Sequence, residues 1–188
     1  MKLLFASHNA HKAKEIQSLL PNGFELKTLN DVGLLEDIPE TGQTLQENAS
    51  IKNHYVWQKL CLPCFADDTG LEVEALNGEP GVYSARFAGL QKDGNDNMKL
   101  LLEKLKDSDN RKARFRTVIS YIINGKEFLF EGIIEGRIAT EPSGTQGFGY
   151  DPLFIPDGST KTFAEMDLTE KNTYSHRARA FARFIESL

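Results

Sequence analysis

The chain has 188 residues, 40% hydrophobic and 26% charged, with 7 prolines, the make-up of an ordinary globular protein large enough to bury a core without disulfides; a single domain over residues 1–188 is expected. Its 22 basic and 27 acidic residues give a net charge of −5, which argues against nonspecific nucleic-acid binding. The longest apolar runs, 2–6 and 118–123, fall far short of the roughly 20 residues of a membrane span, and the N-terminal one is too short for a signal-peptide core, so a cytoplasmic protein with no membrane partner is expected.

Residues 2–6 read as a short buried strand and 11–20 as a helix with Ala13, Ile16, Leu19 and Leu20 on one side. Pro21-Asn22-Gly23 breaks it, and 24–29 reads as a second strand. The acidic stretch 31–43 reads as loop. Thr44, with Glu47 three residues on, opens a helix that runs to about residue 60. Phe65-Ala66 reads as a short strand ending in Asp67-Asp68-Thr69-Gly70, followed by a half-exposed strand over 71–76 and a turn at 77–81. A helix is expected over 95–106. Residues 113–124 and 126–134, joined by Asn124-Gly125, give the clearest hairpin signal, and Ile138-Ala139 an added edge. Residues 142–149 form a Gly-rich loop. Ser175 caps a last helix to Leu188, with Ala178, Phe181, Ala182, Ile185 and Leu188 inward. Helices alternate with strands before the hairpin, which points to α/β or α+β with a mixed sheet and a central cleft.

Cys61 and Cys64 stand in Cys-x-x-Cys spacing, but after a helix and before a strand. That is the wrong helix end for a thioredoxin-like thiolate, and no further zinc ligands are near in sequence; two inert thiols are expected. Other groups suit an anionic ligand. Ser7-His8-Asn9, then Lys12, lies where a buried strand meets a helix, a place with free N–H groups, although the Gly-x-x-x-x-Gly-Lys phosphate-loop pattern is absent. Lys52 falls about 20° from Leu45 at 100° per residue, inside the apolar stripe, where a lysine either snorkels outward, meets a counter-charge or binds phosphate. Glu40, Glu47, Asp67 and Asp68 offer oxygen ligands that suit Mg²⁺ or Mn²⁺, with the two aspartates expected at the carboxyl end of a strand; a solvated acidic turn is the plainer alternative. In Gly147-Phe148-Gly149 the glycines let backbone approach a flat ligand while the ring stacks on it, or else the aromatics simply plug a core. Lys171, His176 and Arg177 lie in a stretch free of acids.

Taken together these groups describe a nucleoside triphosphate with a divalent ion. The sequence resembles the inosine/xanthosine triphosphate pyrophosphatases, which remove deaminated purine nucleotides. The likeness runs along the whole chain and is carried by Ser7-x-Asn9-x-x-Lys12, Glu40 with Glu47-Asn48-Ala49 and Lys52, Ala66-Asp67-Asp68-Thr69-Gly70, Gly81 to Arg86, Phe148-Gly149-Tyr150-Asp151, Lys171 and Ser175-His176-Arg177. The resemblance implies a twisted mixed sheet in two lobes with the active site in a central cleft. It implies a homodimer that cleaves ITP, dITP or XTP between the α and β phosphates. By the same resemblance Ser7, His8, Asn9, Lys12, Lys52 and Thr69 meet the phosphate end, and Glu40 and Asp68 hold Mg²⁺, with Mn²⁺ as an alternative. Asp68 is the expected proton acceptor with Asp67 beside it. Phe148 stacks on the base, and Gly149, Tyr150, Asp151, Lys171, His176 and Arg177 line the base and sugar pocket. A sensor that binds nucleotide without cutting it is the alternative. Two residues depart from the family pattern: His8 stands where a small residue is common, and Thr69 where Ser is.

Overall fold

The computed structural model describes residues 2–188. Among these residues seven strands and five α-helices follow in the order β1 (Lys2–Phe5), α1 (Ala10–Leu19), β2 (Glu25–Thr28), α2 (Leu45–Leu60), β3 (Cys64–Val73), β4 (Pro80–Gly81), α3 (Gly94–Lys104), β5 (Lys112–Ile123), β6 (Lys126–Ile138), β7 (Phe154–Pro156), α4 (Leu168–Tyr174) and α5 (His176–Ile185). The sheet order is β2-β1-β3-β5-β6-β7, with β4 paired to β3. Parallel pairing of β1 with β2 and β3, and antiparallel pairing of β3 with β4 and β6 with β7, make it mixed, as the alternation of elements implied. No helix is long and apolar enough to cross a membrane among the described residues.

The chain forms two compact units. One contains the chain up to Asp68, with Thr117–Gly132 and Arg177–Leu188; the other contains Thr69–Arg116 and Ile133–His176. In the first unit, one apolar cluster gathers Phe5, Ile16, Phe65, Phe181 and Phe184, and another gathers Leu4, Ala6, Val56, Cys64 and Ala66. Strand alternation explains the split, since Phe65 points to one face of β3 while Cys64 and Ala66 point to the other. Phe184 lies 5.0 Å from the Phe65 ring and 4.9 Å from Tyr121. The second unit packs Leu71, Val73, Leu101, Phe115, Phe154 and Phe163 together.

Four expectations need correction. Residues 64–73 are one strand, so Asp67 and Asp68 lie mid-strand and not at a strand's end; continuous pairing outweighed the unfavourable β-propensity of Asp. The last helix buries Arg177, Ala180, Phe181 and Phe184, while Leu188 is exposed, because the i, i+3, i+4, i+7 stripe is headed by a charged residue that an apolar template passes over. Helix α4 and strand β7 were not anticipated; both are short, at seven and three residues. Thr44 caps α2 by accepting from Glu47 N at 3.1 Å, but the Glu47 carboxylate accepts from Gln43 N and not from the cap residue, so the box is displaced by one.

Cys61 is exposed and Cys64 is buried, and burial pushes the Cys64 thiol up to about 12. A thiol-disulfide reagent at pH 8 is therefore expected to count one reactive thiol in the native protein and two after denaturation. Two fast native thiols would contradict the packing of Cys64.

Candidate active site

In the first unit, β3 carries two adjacent carboxylates that meet different surroundings. Asp67 shares its side with Phe65 and faces α1 and α5, where its Oδ1 accepts from Lys12 Nζ at 3.0 Å and its Oδ2 from Arg177 Nε and Nη2 at 3.2 Å. Arg177 also pairs with Glu15 on α1. Asp68, on the opposite side of the strand, faces α2: its Oδ1 accepts from Lys52 Nζ at 3.2 Å and its Oδ2 from Asn48 Nδ2 at 3.3 Å. Lys52 Nζ also donates to Glu40 Oε1 at 2.8 Å and to the Asp67 carbonyl at 2.7 Å. Lys52 therefore turns to counter-charges and does not snorkel outward.

These environments drive the two acids apart. For Asp67, burial would raise the carboxyl, but the charges of Lys12, Arg177 and Lys52 outweigh it and hold the group well below the usual carboxylate range. For Asp68, burial raises the carboxyl, and Lys52 and Lys12 offset it only in part while Glu40 and Asp67 add to it, so it lies above that range. One carboxylate is locked in its ionised form and its neighbour is left able to take a proton, the pattern of an acid–base pair with divided roles.

The same cluster suits a divalent ion. Glu40 and Asp68 each place an oxygen within 3.2 Å of one nitrogen, so the two oxygens already converge on a common cation. Four carboxylates, Glu15, Glu40, Asp67 and Asp68, face three cations, Lys12, Lys52 and Arg177. A phosphate chain meeting that balance requires further positive charge. Among the described residues no three acidic, His or Cys side chains gather as a closed metal cage. Ser7 and Asn9 lie at the start of α1, where Asn9 Oδ1 caps the helix through Lys12 N at 3.0 Å and Ser7 Oγ accepts from Asn9 N at 3.2 Å.

The second unit gathers Phe148, Asp151 and Lys171. Asp151 Oδ2 accepts from Lys171 Nζ at 2.6 Å and from Phe148 N at 2.8 Å. The Lys171 ammonium lies 5.6 Å from the Phe148 ring centre and 5.2 Å from that of Phe163. Gly147 and Gly149 take positive φ, +73° and +61°, and a Cβ on Gly147 would come within 2.0 Å of Asp151 Oδ2. Thr69 follows Asp68 on β3 as the first residue of this unit. Four further residues named from the sequence are placed as follows. Tyr150 is in the core, with its hydroxyl donating to Ser84 O at 2.9 Å. Arg177 pairs with Glu15 and Asp67, which meet its buried charge. His8 engages Asn30 and the Glu36 carbonyl. His176 stacks on Phe115 at 4.7 Å. Sequence reasoning missed Glu15, although it lies one helical turn from Lys12, and gave Asn48 no role, although it lies one turn before Lys52.

The first unit thus carries a strand-borne carboxylate pair set among cations and the second a ring on a Gly loop, both within an α/β protein. The Ham1 family model matches residues 3–187. A Flavobacterium johnsoniae protein named dITP/XTP pyrophosphatase is 53% identical over 188 residues, covering 100% of this chain and 98% of that protein. A Bacillus subtilis protein of the same name is 44% identical, covering 98% and 96%. Among solved structures, the Staphylococcus aureus Ham1 protein has a TM-score of 0.88 at 37% identity, covering 100% of this chain and 99% of its own. A Coxiella burnetii HAM1 protein has a TM-score of 0.89 at 38% identity, covering 98% and 96%. The chain belongs to the Ham1 family.

Removing the Asp67 charge leaves two buried cations with one counter-charge fewer. Asp67→Asn is expected to cost about 3–5 kcal/mol in urea unfolding, and Asp68→Asn far less, because neutralising Asp68 relieves a charge that burial disfavours. The Asp67 contribution is present in full above about pH 4 and is lost as pH falls through its lowered folded value. Equal losses for the two variants at pH 7 would contradict the division between them.

Proposed function

We propose that this protein hydrolyses deaminated purine nucleoside triphosphates (ITP, dITP and XTP) to the monophosphate and pyrophosphate, keeping them out of nucleic-acid precursor pools. The observation that carries the reading is the placing of Asp67 and Asp68 on opposite sides of one strand, Asp67 against Lys12 and Arg177 and Asp68 beside Lys52 and Glu40. The names of the relatives supply the substrate class.

In this reading Lys12, Lys52 and the donors at the start of α1 hold the phosphates, and Asp68 takes the proton of the attacking water. A carboxylate raised by burial is a better base at neutral pH than one near 4. Asp67 stays ionised and keeps Lys12 and Arg177 in place. Glu40 and Asp68 would hold Mg²⁺, or Mn²⁺ in its stead. Such an ion, when bound, supplies charge neutralisation on phosphate oxygens and a more acidic water. Phe148 stacks on the base, with its loop braced by Asp151. The Lys171 ammonium offers a donor beside that ring, which suits the 6-carbonyl of hypoxanthine or xanthine and leaves the 6-amino group of adenine facing a donor. Pockets built on such polar pairing can discriminate by up to about 10⁴–10⁵. A cytoplasmic homodimer is part of the same proposal and follows from family likeness.

Pyrophosphate release from ITP, XTP and dITP, against GTP and ATP, with Mg²⁺ and with chelator, tests this directly. Activity confined to the first three and lost with chelator is expected; a protein that binds but never cleaves would overturn the assignment. Asp68→Asn is expected to lower kcat by about 10²–10⁴-fold, the usual worth of a general base, with its unfolding midpoint little changed. Gly147→Ala, which drives a methyl group into Asp151, is expected to raise KM more than it lowers kcat, since the ring-presenting loop binds and does no chemistry. A kcat effect alone would remove that loop from base binding.

A further inference from the structure

The loop that carries Glu40 is laid along one stripe of α2. Lys52, Tyr55 and Lys59 succeed one another at helical spacing on that helix. Lys52 holds Glu40 at 2.8 Å, while Tyr55 and Lys59 both donate to the Glu36 carboxylate. The Glu36 backbone carbonyl has a further partner, His8 Nε2, at 3.1 Å, and His8 Nδ1 lies 3.1 Å from Asn30 Oδ1. A carbonyl can only accept, so Nε2 carries the hydrogen, and the second bond forms with the Asn30 side-chain amide turned so that its NH₂ donates to Nδ1. With both nitrogens engaged, the ring has no donor left for a phosphate.

We infer that His8 is a positioning residue: it latches the turn that holds Ser7, Asn9 and Lys12 to the acidic loop that carries Glu40, so that the phosphate donors and the metal-binding carboxylate keep a fixed spacing. The inference rests on the reading of this cluster as the phosphate and metal end of the site. It replaces the expectation that His8 contacts phosphate. A small residue at this position would leave the two segments joined only through Lys52 and the acids around it.

The test compares His8→Gly, His8→Gln and Asn30→Ala with wild type. Glu127→Gln serves as control: Glu127 clips the far face of α2 through Ser50 and His54 and touches neither segment. In metal-free protein, amide hydrogen exchange over 29–43 is expected to quicken in His8→Gly and Asn30→Ala, to stay near wild type in His8→Gln, whose amide can still reach the Glu36 carbonyl, and to be unmoved in Glu127→Gln. In turnover, His8→Gly is expected to raise KM and the half-saturating Mg²⁺ concentration by about tenfold, the order of two hydrogen bonds, with kcat at saturation within about twofold of wild type. Unchanged exchange over 29–43 in His8→Gly, or an equal change in Glu127→Gln, overturns the latch. A large kcat loss with unchanged KM overturns it as well. If wild type releases no pyrophosphate, the functional reading fails, and the exchange result alone then decides the latch.

Discussion

A guanidinium with 1% of its surface exposed is tolerable only when its charge is met and its donors are used. Arg177 achieves this through Glu15 and Asp67, and Asp67 in turn holds Lys12. The demand fixes three segments against one another. Glu15 and Lys12 lie one turn apart on α1, Asp67 is on β3 and Arg177 opens α5. Apolar packing among Phe5, Ile16, Phe65, Phe181 and Phe184 supplies the stability of this face. The ion network supplies its specificity, because any slip that parts one pair strands a buried charge and costs several kcal/mol.

The consequence for chemistry follows from the two-residue period of a strand. Neighbours on β3 face opposite ways, so Asp67 falls among cations and Asp68 on a side where a single lysine is shared with Glu40. Had both acids faced one side, their repulsion would have coupled them and spread the titration over the pair. Here the backbone itself separates the roles: one carboxylate is committed to structure and the other is kept raised by burial and by its acidic neighbours. In the proposed mechanism the base therefore rests on a strand, where positional error is smallest, and not on a loop.

The outline of the fold was legible because its signals are local. The strand–helix alternation, the Thr44 cap and the Asn124-Gly125 hairpin all arise within a few residues, and β1, α1, β2, α2 and β5 formed close to their expected bounds. The mid-strand position of Asp67-Asp68 was not legible, since two adjacent acids and a Gly argue for a break, and it takes a place in the sheet between β1 and β5, with β4 also paired, to override them. The burial of Lys52 was visible from helical phase, but its partners were not, because Glu40 and Asp68 lie 12 and 16 residues away. His8 shows the same limit more sharply: its partners lie 22 and 28 residues along the chain, and a turn read by itself makes the ring look like a phosphate donor. Glu15 failed for a different reason. An acid on a helix is ordinarily solvated, and nothing short of the arginine 162 residues later marks this one as buried.

The second unit handles charge by the opposite route. Lys171 is buried, yet Asp151 neutralises it at 2.6 Å, and the same carboxylate oxygen takes the Phe148 N–H. That oxygen thereby does two things at once: it cancels the ammonium's desolvation cost and stiffens the turn that presents the ring. A fixed phosphate would compete with Asp151 for the same cation. In the proposed reading this loop therefore meets the polar but uncharged edge of a base and not a phosphate chain.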